Sequence, residues 1–292
     1  MADAPLEGRV ALVTGSSRGV GRGIAESLGA AGATVYVTGR TADPADAPVM
    51  FGERIGGSVG EVAQAVTDNG GHGIPVVCDH GDDEQVRALI ERIIAEQGRL
   101  DLLVNNAMIV PEEMQSGRPF WELPLDVWDR LIQVGLRAAY VAAYYAAPHM
   151  AKAGRGLIVN TSGPGAKYFF YTPAYGVGKV GSDRLAHDFA HELKPFGVAA
   201  VSIWSGLIRT ELLAATVKKV DGYDLSVTES PQFVGRAVAA LAADPEIMRH
   251  TGETLYAAEV ALEYGFTDLD GSLPRSRRFR FGAPSQFFVE KK

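Results

Sequence analysis

A single cysteine, Cys78, among 292 residues excludes an internal disulfide, and no Cys/His grouping has the spacing of a zinc site. Basic residues are outnumbered: 28 Lys and Arg against 35 Asp and Glu give a net charge of −7. That balance argues against bulk attraction to nucleic acid or to an anionic membrane. Long hydrophobic runs are missing. The longest, "AAYVAAYYAA" at 138–147, is too short to span a bilayer and follows directly on Arg137. "MADAPLEGRV" at the start has no basic region followed by an apolar one, so no secretory signal is read and a cytoplasmic protein is expected. No shift of composition, internal repeat or low-complexity tract divides the chain, so one domain over 1–292 is expected.

What is present is a recurrence of short, β-rich apolar runs: "VALVTG" at 10–15, "TVYVTG" at 34–39, "IPVVCD" at 74–79, "LDLLVNNA" at 100–107, "GLIVNTS" at 156–162 and "VAAVSIW" at 198–204. Helical patterns lie between them, near 20–31, 58–69, 82–97, 124–152, 174–195 and 231–243, with Asp82 as a cap and Pro231 at a favoured first-turn position. Such alternation predicts βαβ units in a doubly wound parallel sheet of Rossmann type, covered on both faces. Segments 41–57, 108–121 and 205–230 do not fit the alternation. Long segments after strand ends are where such sheets carry function, and 205–230 is read as a substrate-side loop. The tail 271–292, with Arg275, Arg277, Arg278 and Arg280 among aromatics, has no readable role beyond packing on the body or on a partner.

"VALVTGSSRGVGRGIAESL" runs from a buried strand straight into a helix, with Gly15, Gly19 and Gly21 at the join. Glycine permits a tight turn and a close backbone approach to a pyrophosphate, and a helix N-terminus offers free N–H groups with a partial positive charge. Farther on, "PAYGVGK" places Tyr175 and Lys179 on one helix face, and Ser162 stands thirteen residues before the tyrosine at the end of a strand. A phenol has an ordinary pKa of about 10, so an adjacent ammonium would bring it toward use as a general acid or base.

The spacing TGxxxGxG with this Ser, Tyr and Lys resembles the short-chain dehydrogenase/reductase family, over about residues 8–265. Gly15, Ser17, Arg18, Gly19, Val20 and Gly21 then correspond to the cofactor loop, and the second strand ends in Gly39-Arg40 where NAD-using members carry an acidic residue. Arg18 and Arg40 therefore imply NADP in preference to NAD. The resemblance further assigns Asp79 to the adenine, Asn105 of "NNA" to the cofactor, and Ile208 and Thr210 to the carboxamide and phosphates. Ser162 would donate to the substrate oxygen, Tyr175 would transfer the proton, and Lys179 would tune the tyrosine together with the oxidised nicotinamide ring and hold the nicotinamide ribose.

Three positions depart from the family pattern. Gly135 stands where an asparagine normally completes the proton relay, and Met108 replaces the glycine that follows "NNA". Ser205-Gly206 replaces Pro-Gly after the sixth strand. "YGVGK", "QVGLR", "AHELKPFGVAAVSIW" and "EYGFTDLDG" together look like the dehydrogenase/reductase member 1 subgroup, which shares the asparagine departure. The reading that follows is an NADP-dependent oxidoreductase interconverting a carbonyl and a secondary alcohol. "KYFFYTP" at 167–173, with Phe120 and Trp121, points to an apolar or ring-bearing small molecule. A homodimer or homotetramer is expected through the alanine- and tyrosine-rich helix at 138–147. His187 and His191 share a helix face without a third ligand, so no metal is expected. A nucleotide-binding regulator without turnover, and a lyase or epimerase on the same fold, remain alternatives.

Overall fold

The computed structural model describes residues 4–217 and 228–288; residues 218–227 of the expected substrate-side loop and 289–292 of the tail lie outside them. The chain begins with β1 (Val10–Val13), α1 (Gly19–Ala30) and β2 (Thr34–Gly39), then a two-stranded hairpin of β3 (Val49–Met50) and β4 (Glu53–Arg54). It continues through α2 (Val59–Asp68), β5 (His72–Val77), α3 (Asp83–Gln97) and β6 (Leu102–Asn105). After α4 (Asp126–Ile132), a π-helical turn over Gln133–Arg137 leads into α5 (Ala138–Ala153), followed by β7 (Gly156–Ser162), α6 (Pro173–Leu193) and β8 (Val198–Trp204). The remainder is α7 (Glu211–Val217), α8 (Pro231–Ala243), β9 (Thr254–Tyr256), α9 (Ala257–Tyr264) and α10 (Arg278–Phe281).

Seven strands form one sheet in the order β5-β2-β1-β6-β7-β8-β9, with every neighbouring pair parallel. Strand alternation divides the core into two layers. In β1, Ala11 and Val13 pack with Ile24 and Leu28 of α1, Val62 of α2 and Phe233 of α8. Val10 and Leu12 face the other way, onto Ile90 of α3, Val141 and Ala146 of α5 and Ala190 of α6. The chain winds outward in opposite directions from β1 and β6, so the C-terminal ends of these two strands form the crevice at which such sheets bind ligands.

The expected caps are in place: Asp82 accepts from the Glu84 and Gln85 N–H groups at 3.0 and 3.2 Å, and Pro231 opens α8 behind Ser230, whose Oγ accepts from Phe233 N at 3.1 Å. Other expectations need correction. The helix expected over 124–152 is interrupted by the π-turn centred on Gly135, where one extra residue enters the turn and the glycine lowers the cost of the irregular backbone. The strand expected at 74–79 ends at Val77, which leaves Asp79 in the loop beyond it. The segments read as loops hold the β3–β4 hairpin and α7, and β9 with α9 complete the sheet's far edge.

The tail packs on the body. Tyr168 and Tyr256 hydroxyls donate to the Phe281 and Gly282 carbonyls, each at 3.1 Å, and Lys167 Nζ donates to Ala283 O at 2.9 Å. Phe287 then lies against His187 and Arg184 of α6. Among the described residues no helix is long and apolar enough to cross a membrane.

Candidate active site

The glycines after β1 are required first by the fold itself. A Cβ on Gly15 would lie 2.7 Å from Ala107 Cα, and one on Gly21 would lie 2.4 Å from Asn106 Nδ2 and from Gly15 O. Asn106 Nδ2 donates to the Thr14 and Gly15 carbonyls, both at 3.0 Å, and Thr14 Oγ1 accepts from the Asn106 and Ala107 N–H groups. "NNA" thus clamps the first turn to β6. Sequence reasoning had given Asn106 no such role.

α1 starts at Gly19 with an extended Arg18 at its cap position, no capping side chain and no acid in its first turn. Its free N–H groups are met from across the molecule: Gly19 N donates to Glu211 Oε2 at 3.0 Å. A carboxylate of the chain itself stands where an anion is expected, so this end of the helix is an anion site in geometry as well as in principle. Thr210 lies beside it, with its Cγ2 3.7 Å from where a Gly19 Cβ would be.

Arg18 is anchored by Gly56 O, Gly57 O and Thr41 Oγ1 at 3.2, 2.9 and 2.8 Å. Burial lowers its pKa, Glu211 opposes this, and Arg40 lowers it further by repulsion. Two guanidiniums therefore share one neighbourhood at the end of β2, where Gly39 abuts Ser17. Val20 follows in the first turn of α1 and packs on the core. Asp79 Oδ1 accepts from Gly81 N at 2.9 Å, so the carboxylate shapes its own loop. Ile208 bridges to Glu229 beyond β8.

On α6, Lys179 Nζ lies 5.7 Å from the centre of the Tyr175 ring and donates to Thr161 O at 3.4 Å. Ser162 Oγ donates to the Lys179 carbonyl at 3.0 Å, so its hydroxyl proton is turned toward α6 in this conformation. Burial dominates the electrostatics of this pair. Burial pushes the Tyr175 phenol upward, reinforced by Tyr171, and pushes Lys179 down to about 8, resisted by Asp183. Within the chain alone, desolvation outweighs the neighbouring ammonium.

Two groups here were not singled out from the sequence. Asp183 is fully buried one turn beyond Lys179 and accepts from Ser202 Oγ at 2.6 Å and from Trp204 Nε1; the i, i+4, i+8 spacing of Tyr175, Lys179 and Asp183 was the available signal. Tyr171 has φ of 59° and meets Tyr175 edge-on, with ring centres 5.3 Å apart. A bulky residue in that region is strained and marks a constrained site.

Two small cavities meet at Lys179. One is lined by Thr14, Asn105, Asn106, Thr161 and Gly135, among others, and the second by Leu131, Ala174, Tyr175 and Gly178; Met108, Gly135 and Lys179 border both. Phe120 and Trp121 border neither and are exposed. Among the described residues no group of three His, Cys, Asp or Glu is placed to hold a metal ion.

A family model described as short chain dehydrogenase matches residues 9–221. Dehydrogenase/reductase SDR family member 1 of Mus musculus and that of Homo sapiens are each 42% identical over 281 residues, which cover 92% of this chain and 85% of theirs. A metagenomic short-chain oxidoreductase solved in complex with NADP is 30% identical, with a TM-score of 0.66, and the match covers 83% of this chain and 93% of that one. On this sheet, with this nucleotide crevice, the chain belongs to the short-chain dehydrogenase/reductase family, enzymes that act on CH–OH or carbonyl groups with NAD(P).

Proposed function

We propose that the protein is an NADP-dependent oxidoreductase that interconverts a carbonyl and a secondary alcohol, with Tyr175 as general acid and base. The observation that carries the reading is that Lys179 borders one cavity with the ends of β1 and β6 and a second with Tyr175. The proton-transfer pair thereby adjoins the nucleotide crevice.

The residues present fit a phosphorylated dinucleotide. The α1 N-terminus already takes a carboxylate, and Arg18 and Arg40 put two guanidiniums at the end of β2, where no acid stands. The relative solved with NADP supports the same preference. When bound, the nicotinamide supplies or takes the hydride. Tyr175, kept protonated by burial, gives its proton to the carbonyl oxygen during reduction. Ser162 polarises that oxygen once its hydroxyl turns from the Lys179 carbonyl. Lys179 is the cation beside the phenol and orients the ribose. Met108, Leu131 and Ala174 give the Tyr175 cavity an apolar wall, which suits an apolar or ring-bearing substrate.

NADPH consumption over a panel of ketones, aldehydes and quinones tests the reading, followed by Tyr175→Phe on the best substrate. The variant should lose on the order of 10²–10⁴-fold in turnover while NADPH affinity stays within a few-fold. Wild-type turnover in Tyr175→Phe would refute the mechanism. Because Lys179 titrates near pH 8, reduction should fall as the pH rises through that value and the ammonium is lost.

A further inference from the structure

A carboxylate shut off from solvent stands one helical turn beyond Lys179. Asp183 is fully buried, and the donors on it are neutral: Ser202 Oγ reaches Oδ1 at 2.6 Å, and Trp204 Nε1 reaches Oδ1 and Oδ2 at 3.1 and 3.0 Å. Ser202 and Trp204 lie two residues apart on β8, so both side chains leave the sheet on one face. The parallel register sets Trp204 opposite Ser162 of β7. Ser162 therefore projects from that face too, and its Oγ donates to Lys179 O at 3.0 Å. Two successive turns of α6 are thus pinned to the sheet, Lys179 through its carbonyl to β7 and Asp183 through its carboxylate to β8.

A buried carboxylate is costly unless a cation balances it. Lys179 lies one turn back on the same face of α6, and Asp183 is the charge that resists the effect of burial on it. Burial in turn raises the Asp183 carboxyl, while Ser202, Ser285, Ser162 and Trp204 hold it down. Ser285 belongs to the tail, whose Phe287 lies on Arg184 and His187 of α6. The tail thus covers the carboxylate, and with water kept out the charge acts on Lys179 with little screening. The other titratable groups around the pair do not replace it. His80 borders the cavity at Lys179 and is neutral, since burial lowers its pKa to about 4. Tyr256 of β9 stands behind Trp204 with its phenol raised to about 12. Tyr175 is kept protonated by burial, and Tyr171 meets its ring edge-on. Arg184 and His187 both turn to Asp188, at 2.7 and 3.0 Å.

We propose that Asp183 is the positioning residue of the proton-transfer pair: its carboxylate keeps Lys179 an ammonium beside Tyr175 and locks α6 against the strand end that carries Ser162. The proposal rests on the reading of Tyr175 and Lys179 as that pair. Tyr175, Lys179 and Asp183 form one ladder along α6, at i, i+4 and i+8, in which the carboxylate acts through the lysine. Without its charge Lys179 is left to burial alone, so the amine gives up its proton at a lower pH. A neutral lysine offers no cation to the phenolate that forms when Tyr175 protonates the carbonyl oxygen. Turnover falls with the ammonium.

The test is the pH dependence of kcat for NADPH consumption on the best carbonyl of the panel. In the wild type the alkaline fall should have its midpoint at about pH 8. Asp183→Asn keeps an acceptor for Ser202 and Trp204 and removes the charge. Its midpoint should move down by on the order of one pH unit, so that the loss in kcat grows from the acid end of the profile to pH 8. A merely structural role predicts a loss by the same factor at every pH with the midpoint unmoved, and that result overturns the proposal. If Asp183→Asn does not fold, the triple change Asp183→Leu, Ser202→Ala and Trp204→Phe replaces the carboxylate and both donors with apolar groups, which leaves no buried partner unpaired. It must show the same downward shift, and an unmoved midpoint overturns the proposal equally. A wild-type kcat with no alkaline fall overturns it as well. Failure of the underlying oxidoreductase reading looks different: the wild type would consume no NADPH with any carbonyl, or Tyr175→Phe would turn over like the wild type.

Discussion

Glu229 offers a quantitative test that does not depend on a substrate. Its carboxylate, in a residue 3% exposed, accepts from Gly206 N at 2.9 Å. Its backbone closes the same turn through Leu207 O and Arg209 N, both at 2.8 Å. A Cβ at position 206 would lie 2.2 Å from Glu229 Oε1, which explains the glycine. Burial raises the carboxyl from 4.5 to about 7; the Gly206 N–H and Arg277 oppose the rise and Asp268 adds to it. A folded-state value above the unfolded one means that the folded protein holds the extra proton between these two pH values. The stability this confers is complete below pH 4.5 and is lost as pH rises through 7. The interval, at about 1.4 kcal/mol per pH unit, comes to about 3 kcal/mol at most. Glu229→Gln keeps the acceptor for Gly206 and removes the charge. Against wild type it should therefore melt at about the same temperature at pH 5 and several degrees higher at pH 8, at roughly 2–4 °C per kcal/mol. The unpaired half of the new amide reduces the gain without changing its sign with pH. Differential scanning calorimetry at both pH values decides. A difference in melting temperature that does not grow from pH 5 to pH 8 refutes the argument.

Arg40→Ala should weaken NADPH binding by on the order of 1.5–3 kcal/mol and leave NADH nearly unchanged; fluorescence titration that finds both cofactors bound equally by the wild type contradicts the preference. Glu211→Gln removes the negative charge that competes with a phosphate for Gly19 N, so NADPH should bind several-fold tighter, and unchanged or weaker binding would show that the carboxylate does not occupy the anion site. Tyr140 and Tyr144 stand exposed and stacked on α5, and light scattering should return a multiple of the 31.1 kDa chain mass rather than the monomer alone.

Local chemistry made much of this legible. The β1 turn, the Asp82 cap, the start of α8 at Pro231 and the shared face of Tyr175 and Lys179 each depend on residues within one or two helical turns. What was missed depends on contacts made over long separations or on burial. Glu211 reaches Gly19 across 192 positions, and Glu229 reaches Gly206 across 23; neither pairing has a periodic signature. β9 has three residues, too few for strand alternation to show, and its place comes from pairing with β8. The upward push of burial on the Tyr175 phenol was unreadable for a related reason. The ammonium four residues away is visible in the sequence, whereas the protein packed around the phenol is not.

Two of the departures from the family pattern, Gly135 and Met108, prove to be one feature. A Cβ at 135 would first meet Met108 Cγ at 3.4 Å and then its Sδ at 4.0 Å, and the two residues border both cavities together. The family resemblance implies a large polar side chain at the first position and glycine at the second; here the bulk is on the second and the first is bare. Such an exchange roughly conserves volume, which is the kind of change packed interiors tolerate best, and methionine adapts readily to an irregular gap. It does not conserve polarity. A thioether replaces an amide beside Lys179, and the π-turn at Gln133–Arg137 places the altered backbone at the same spot. A site decaying without selection has no reason to keep its steric balance, with Ser162, Tyr175 and Lys179 retained around it. A working site does: the methionine bounds the cavities on their apolar side while Asn105 and Lys179 furnish the polar one.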